Sequence, residues 1–355
     1  MTNKTTSPIS SLTRANISNL KPYASARSEF SGEASIFLDA NENSLGSPIE
    51  TDYSRYPDPM QWKLKAEIAK VKGMPATHQF IGNGSDEIID IIIRVFCEPG
   101  RDNFLMFPPT FDLYEIWGKV NGVEVRKVSL LPDFQLDMEH IPNYIDEHTK
   151  IIFLCSPNNP TGACLNREDV ETILTHFEGI VVVDEAYINF AQQHSFIKEL
   201  TAYPNLIVLQ TLSKAWGLAG LRIGIAFASE EIIHYLNIVK PPYNMSDAAI
   251  NLGIEALQQV DLVNERIKIL VESRKKLERE LIQLPLVINI YPSDSNFLLV
   301  KFQDADRVYQ YLLENGIVVR SRSKVPLCEG CLRITVGTED ENNTLITTLK
   351  NFKSE

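Results

Sequence analysis

A lysine, an aspartate and two glycine- or proline-rich turns carry the chemistry of this sequence, each beside a short apolar run. Lys214 follows LIVLQ at 206–210, comes directly after Ser213, and leads into small residues and Arg222. An ammonium half-buried at such an edge tends to lose its proton, and a neutral lysine amine can form a Schiff base with a carbonyl compound. Asp184 closes IVVVD at 180–184 and brings a carboxylate to the same edge, with Tyr187 three residues on. Taken alone, an aspartate at a strand end can equally cap a helix or bind a metal. SPNNPTG at 156–162 follows IIFLC at 151–155 and adds Asn159. Rigid turns at the carboxyl edge of a sheet are where open α/β proteins bind ligands. GNGSDE at 82–87 opens an apolar helix, DEIIDIIIRVF at 86–96. Its glycines let the backbone approach a ligand, Ser85 can cap, and the free amides at the helix start attract a phosphate.

The elements that position these residues alternate. The runs at 151–155, 180–184, 206–210 and 223–227 suit a parallel sheet buried on both faces, and 167–177 has a helical pattern between two of them. Composition shifts at Pro241-Pro242. Beyond it, helices are expected over 246–259, 261–284, 304–315 and from 339, with strands at 296–302, 317–320 and 332–336. The first 45 or so residues lack periodicity and read as an extended arm. This is α/β architecture followed by a smaller α+β unit.

The chain has 355 residues, 44% of them apolar, with 34 Lys+Arg against 46 Asp+Glu and a net charge of −12. At roughly 100–200 residues per domain, that length gives about two domains. Disorder, collagen and small disulfide scaffolds are excluded. The acidic balance disfavours nucleic acid and anionic membranes. The densest basic cluster, Arg274, Lys275, Lys276 and Arg279, is interleaved with glutamates and reads as a solvated helix face. No run approaches a membrane span or a signal peptide. Five cysteines fit reduced thiols, and Cys328-Glu-Gly-Cys331 lacks the second pair or histidine of a zinc site. The six histidines lie outside every motif.

In this order, the four chemical features resemble the fold-type I pyridoxal-phosphate (PLP) enzymes of the class II aminotransferase group, over nearly the whole chain. NLKPY at 19–23, LDANEN at 38–43, RYPDP at 55–59, GIVVR at 316–320 and GCLRITVG at 330–337 narrow the resemblance to the histidinol-phosphate aminotransferase family. It implies an α/β fold with an N-terminal arm (1–45) contributing to the small domain and to dimer contacts. A large PLP-binding domain (46–242) would carry a mainly parallel seven-stranded sheet, and a small α+β domain would follow (243–355).

By the same resemblance Lys214, Asp184 and Tyr187 are catalytic. Lys214 would hold PLP covalently, Asp184 would pair with the pyridinium nitrogen, and Tyr187 and Asn159 would bond the ring's phenolic oxygen. Gly84, Ser85, Asp86, Ser213 and Arg222 would hold the cofactor phosphate. Tyr56 would reach that phosphate from a second subunit, which implies a homodimer. Phe111 stands where the family commonly has a ring-stacking tyrosine; stacking survives the change, a hydroxyl bond does not, and Tyr114 is expected to pack nearby. Tyr23, Asn159, Arg320 and Arg333 would bind substrate. An arginine fork suits carboxylate or phosphate. The implied activity is transamination between L-histidinol phosphate and 2-oxoglutarate, giving imidazole acetol phosphate and L-glutamate in histidine biosynthesis, in the cytoplasm and without a metal.

Competing readings are a threonine-phosphate decarboxylase and an aromatic amino-acid aminotransferase, which share most of this framework. A PLP-binding regulator would need a DNA-binding module for which there is no spare length. A nicotinamide dehydrogenase would need its glycine loop after a strand and opening a helix, whereas 217–224 follows a lysine and precedes a strand.

Overall fold

The computed structural model describes residues 9–21 and 36–353. Seven strands build the larger sheet: β1 (Gln79–Asn83), β2 (Asn103–Met106), β3 (Glu124–Lys127), β4 (Thr149–Cys155), β5 (Ile180–Asp184), β6 (Leu206–Thr211) and β7 (Ile223–Phe227), in the order β1-β7-β6-β5-β4-β2-β3. The apolar runs become fully buried strands because alternate residues serve opposite faces. Val181 and Val183 of β5 join one core cluster, while Ile180 and Val182 join the other. Leu206 and Val208 of β6 divide from Ile207 and Leu209 in the same way.

One of the four expected parallel strands is reversed. β7 pairs antiparallel with both β6 and β1, whereas β3-β2-β4-β5-β6 are parallel throughout. A parallel return needs a crossover of a dozen or more residues, usually helical. The link from Thr211 to Ile223 holds only the short 3₁₀ turn Ala219–Leu221, so the chain folds straight back. This reversal brings β7 against the start of the helix Ser85–Phe96.

A second, antiparallel sheet contains β8 (Val287–Ile290), β9 (Phe297–Phe302), β10 (Arg320–Ser321) and β11 (Cys331–Thr335), in the order β10-β11-β9-β8. It packs on the helices Val260–Leu281, Ala305–Glu314 and Glu339–Lys350 around a separate core that includes Leu277, Leu298, Val308 and Leu345. The strand expected at 317–320 shrinks to Arg320–Ser321. Gly316, at φ +75°, ends the preceding helix, and Ile317 N still bonds back to Leu312 O at 2.8 Å.

Two further expectations change. Within the arm, residues 9–18 are not extended: Ile9–Leu12 and Ala15–Ser18 are helical turns whose Ile9 and Ile17 are buried, and Arg14 pairs with Glu98 at 3.0 Å. Arg274 is not on a solvated face. It is buried and donates to the carbonyl of Ser295, while Lys275 and Lys276 pair with Glu272 and Glu339 on the surface. No helix among the described residues is long and apolar enough to cross a membrane.

Candidate active site

Three strand ends and one helix start converge on a cavity of about 440 Å3. Its walls include Ser85, Asp86, Phe111, Asn159, Asp184, Tyr187, Ser213, Lys214, Arg222, Arg320 and Arg333, eleven of the residues expected from the sequence. Gly84 lies immediately behind this wall. Tyr56 does not line the cavity; it is exposed and stacks on Tyr243 with ring centroids 4.5 Å apart. Tyr23 lies outside the described residues.

After β4 the turn is locked from within. Asn158, buried, accepts from Thr110 Oγ1 at 2.9 Å and donates to Pro109 O and Thr161 Oγ1 at 2.8 and 3.0 Å. That leaves Asn159 facing the cavity, where its Oδ1 accepts from Arg333 Nη1. One asparagine thus fixes the turn while the next ties the two sheets together across the cleft.

At the end of β5, Asp184 is buried and held at both oxygens. Tyr114 Oη donates to Oδ2 at 2.7 Å, and the Ala186 N–H donates to Oδ1 at 3.1 Å. Burial pushes the carboxyl above the ordinary aspartate range, while these two donors and Lys214 pull it back. A cationic N–H seated opposite would complete that compensation. Tyr114 was expected only to pack nearby, and it does stack on Phe153 at 4.8 Å and meet Phe111 edge-on. Its hydroxyl has the larger role.

Lys214 sits in the link after β6. Thr211 Oγ1 bonds Ser213 Oγ at 3.0 Å and the carbonyl of Ile223 at 3.1 Å, and it accepts from Ser213 N at 3.0 Å, which shapes the turn. Burial and the charge of Arg333 hold the Lys214 ammonium below the ordinary lysine range, with Asp184 and Asp86 opposing. The Nζ lies 5.6 Å from the ring centre of Tyr187, whose phenol burial keeps protonated.

The opposite end is built for a phosphate. Ser85 Oγ, at the first residue of the helix, is buried and has no partner among the described residues. Arg222 reaches over it and pairs with Asp86 at 3.2 Å. Gly84 has φ +80°, and a Cβ there would run into the Arg222 guanidinium. At Gly224 of β7 a Cβ would fall 2.5 Å from Ser85 N. Gly84 is therefore required by its positive φ and Gly224 by close backbone approach. An orphaned hydroxyl, free helix-start amides and an arginine fit the phosphate of PLP, and Asp184, Phe111 and Lys214 fit its ring nitrogen, ring face and carbonyl.

Six cavity residues were not anticipated: Asp112, Cys155, Ala186, Thr211, Ala219 and Arg322. Arg322 is two residues beyond Arg320 on the β10 side, a period-2 signal that was there to be read.

Comparison with known proteins bears on the family of the chain. The family model described as aminotransferase class I and II matches residues 39–349. A protein of Parabacteroides distasonis named histidinol-phosphate aminotransferase is 52% identical over 96% of this chain and 98% of its own length. The histidinol-phosphate aminotransferase structure from Clostridium acetobutylicum superposes with a TM-score of 0.76 at 25% identity, covering 84% of this chain and 90% of that one. A Sinorhizobium meliloti structure of the same name, in complex with pyridoxal-5'-phosphate, gives a TM-score of 0.78 at 24% identity over 88% and 89% of the two chains. The chain belongs to the PLP-dependent class I and II aminotransferases and, within them, to the histidinol-phosphate aminotransferase family.

Proposed function

We propose that this enzyme transfers the amino group of L-histidinol phosphate to 2-oxoglutarate, giving imidazole acetol phosphate and L-glutamate, as a step of histidine biosynthesis. One observation carries the reading: a single cavity places a lysine between two anion-binding ends, Ser85 with Arg222 and Arg320 with Arg333. A donor that is itself a phosphate ester needs the second end as much as the cofactor needs the first.

When bound, PLP supplies a carbonyl carbon that captures amines and a conjugated ring that accepts the electrons left at the substrate Cα. The residues do the rest. Lys214 would hold the cofactor covalently; released by the substrate amine, its Nζ takes the Cα proton as a neutral base and returns it as an acid. The lowered proton affinity of its ammonium favours that role. Asp184, oriented by Tyr114 and Ala186, keeps a proton on the ring nitrogen. Tyr187 and Asn159 hold the phenolic oxygen, and Phe111 covers a ring face. Gly84, Ser85, Asp86, Ser213 and Arg222 hold the cofactor phosphate. Arg320, Arg333 and Tyr23 take the substrate's anionic group.

The enzyme acts as a cytoplasmic homodimer in this proposal. Tyr56 stands apart from the cavity of its own chain, exposed and beside Tyr53 in the lining of a separate surface pocket. There it can complete the phosphate site of a partner copy. The organisation we adopt is 1–45, 46–242 and 243–355, with the helix Asp247–Leu257 anchoring the third segment to the second: its Ala249 and Ile250 share the core of the large sheet. Borohydride trapping followed by sedimentation tests both parts. The cofactor should be fixed on Lys214 in a species of twice the chain mass; attachment elsewhere, or a monomer, contradicts the respective part.

A further inference from the structure

Arg322 projects into the same cavity as Arg320 and Arg333. Register explains why. Arg320 lies opposite Arg333 in the β10–β11 pair, and the backbone N–H of Arg322 donates to Cys331 O at 2.9 Å. Residues two apart on an extended segment share a face.

Its guanidinium is poorly satisfied. The side chain is only 12% exposed, and its ion pair to the exposed Asp112 spans 3.5 Å from Nη1 to Oδ2. That is the outer limit of a hydrogen bond. The Nε is buried with no partner among the described residues. A desolvated cation held this loosely gains when a stronger acceptor arrives.

The charges at this end do not balance. Arg222, at the far end, is answered by Asp86. Among the described residues the hydrogen-bond partner of Arg333 is the neutral carbonyl of Asn159, and the carboxylate paired with Arg322 is Asp112, which also acts on the charge of Arg333. Besides its burial, Arg322 and Arg320 help depress the proton affinity of Arg333, so the three cations stand close enough to repel one another. Three positive charges against one negative leave a surplus of two, the charge of a phosphate monoester dianion. A single carboxylate group needs a surplus of one, and a dicarboxylate carries its two charges on separate groups rather than on one.

We propose that Arg322 is a specificity residue for the phosphate of the amino donor. A dianion draws Arg322 from Asp112 and is held by three arginines. A carboxylate is held by Arg320 and Arg333 while Arg322 stays on Asp112. One cavity can then accept a phosphate ester in one half-reaction and a dicarboxylate in the other. The inference rests on the aminotransferase reading of this cavity.

Half-reactions of the PLP-loaded enzyme, followed by the change in the visible band, test it. In Arg322→Gln, the concentration of histidinol phosphate for half-maximal rate should rise about 10- to 100-fold, the range of a lost charge-assisted bond. The maximal rate should hold within a few-fold, glutamate should be little affected, and Arg322→Lys should restore part of the loss. Asp112→Asn should tighten histidinol phosphate, and that gain should vanish in the Arg322→Gln background. Equal losses for both substrates, or none for the phosphate ester, would overturn the proposal. Inorganic phosphate as an inhibitor of the glutamate half-reaction gives a reading independent of the donor. It should lose potency in Arg322→Gln even if histidinol phosphate proves not to be the substrate, and unchanged potency counts against Arg322 alone.

Discussion

Tyr114 donates to Asp184 at 2.7 Å in a fully buried setting, and this bond opposes the upward push of burial on the carboxyl. Its removal should raise the proton affinity of Asp184 further. Because the carboxylate form is the one that keeps the ring nitrogen protonated, Tyr114→Phe should move the acid limb of the kcat–pH profile to higher pH. At neutral pH kcat should fall roughly 10- to 100-fold, from about 1.5–3 kcal/mol for a buried bond to a charged group. An unmoved acid limb would mean the bond serves packing alone. Lys214, Asp184 and Asn159 were legible in the sequence because each lies within a few residues of the apolar run that presents it. Tyr114 and Asp112 were not, because their partners lie 70 and 210 residues away.

The phosphate end depends on two elements touching through backbone. β7 runs so close to the start of the helix Ser85–Phe96 that only glycine fits at 224. Gly224→Ala should push these elements apart, at a cost typical of overpacking, about 1–3 kcal/mol. Melting temperature and PLP retention on dialysis should both fall, whereas Gly220→Ala, with nothing within 4 Å of its added Cβ, should change neither. Retention equal in the two variants would show that the contact does not shape the site. Strand identities were readable from apolar runs, but the reversed direction of β7 was not. Direction is set by the length of the 212–222 link and by the pairing partners available, β6 and β1. Arg274 was misread for a related reason: charge spacing along a helix does not reveal that the loop carbonyl of Ser295 sits over one of its residues.

At the scale of the whole molecule, the charge of −12 and the chemistry of the cavity have opposite signs. Lys214, Arg222, Arg320, Arg322 and Arg333 gather in one cleft whose other charged walls are Asp86, Asp112 and Asp184. An acidic exterior with a local positive cleft suits small anionic ligands, not a polyanion. The direct test is the steady-state reaction of purified enzyme with 2-oxoglutarate and competing donors: histidinol phosphate, threonine phosphate, phenylalanine and tyrosine. Histidinol phosphate should show the highest kcat/KM, with one glutamate formed per donor consumed and no CO2, and Lys214→Ala should lose turnover by many orders of magnitude while still binding PLP. Release of CO2 from threonine phosphate, preference for an aromatic donor, or near-normal turnover by Lys214→Ala would contradict the account.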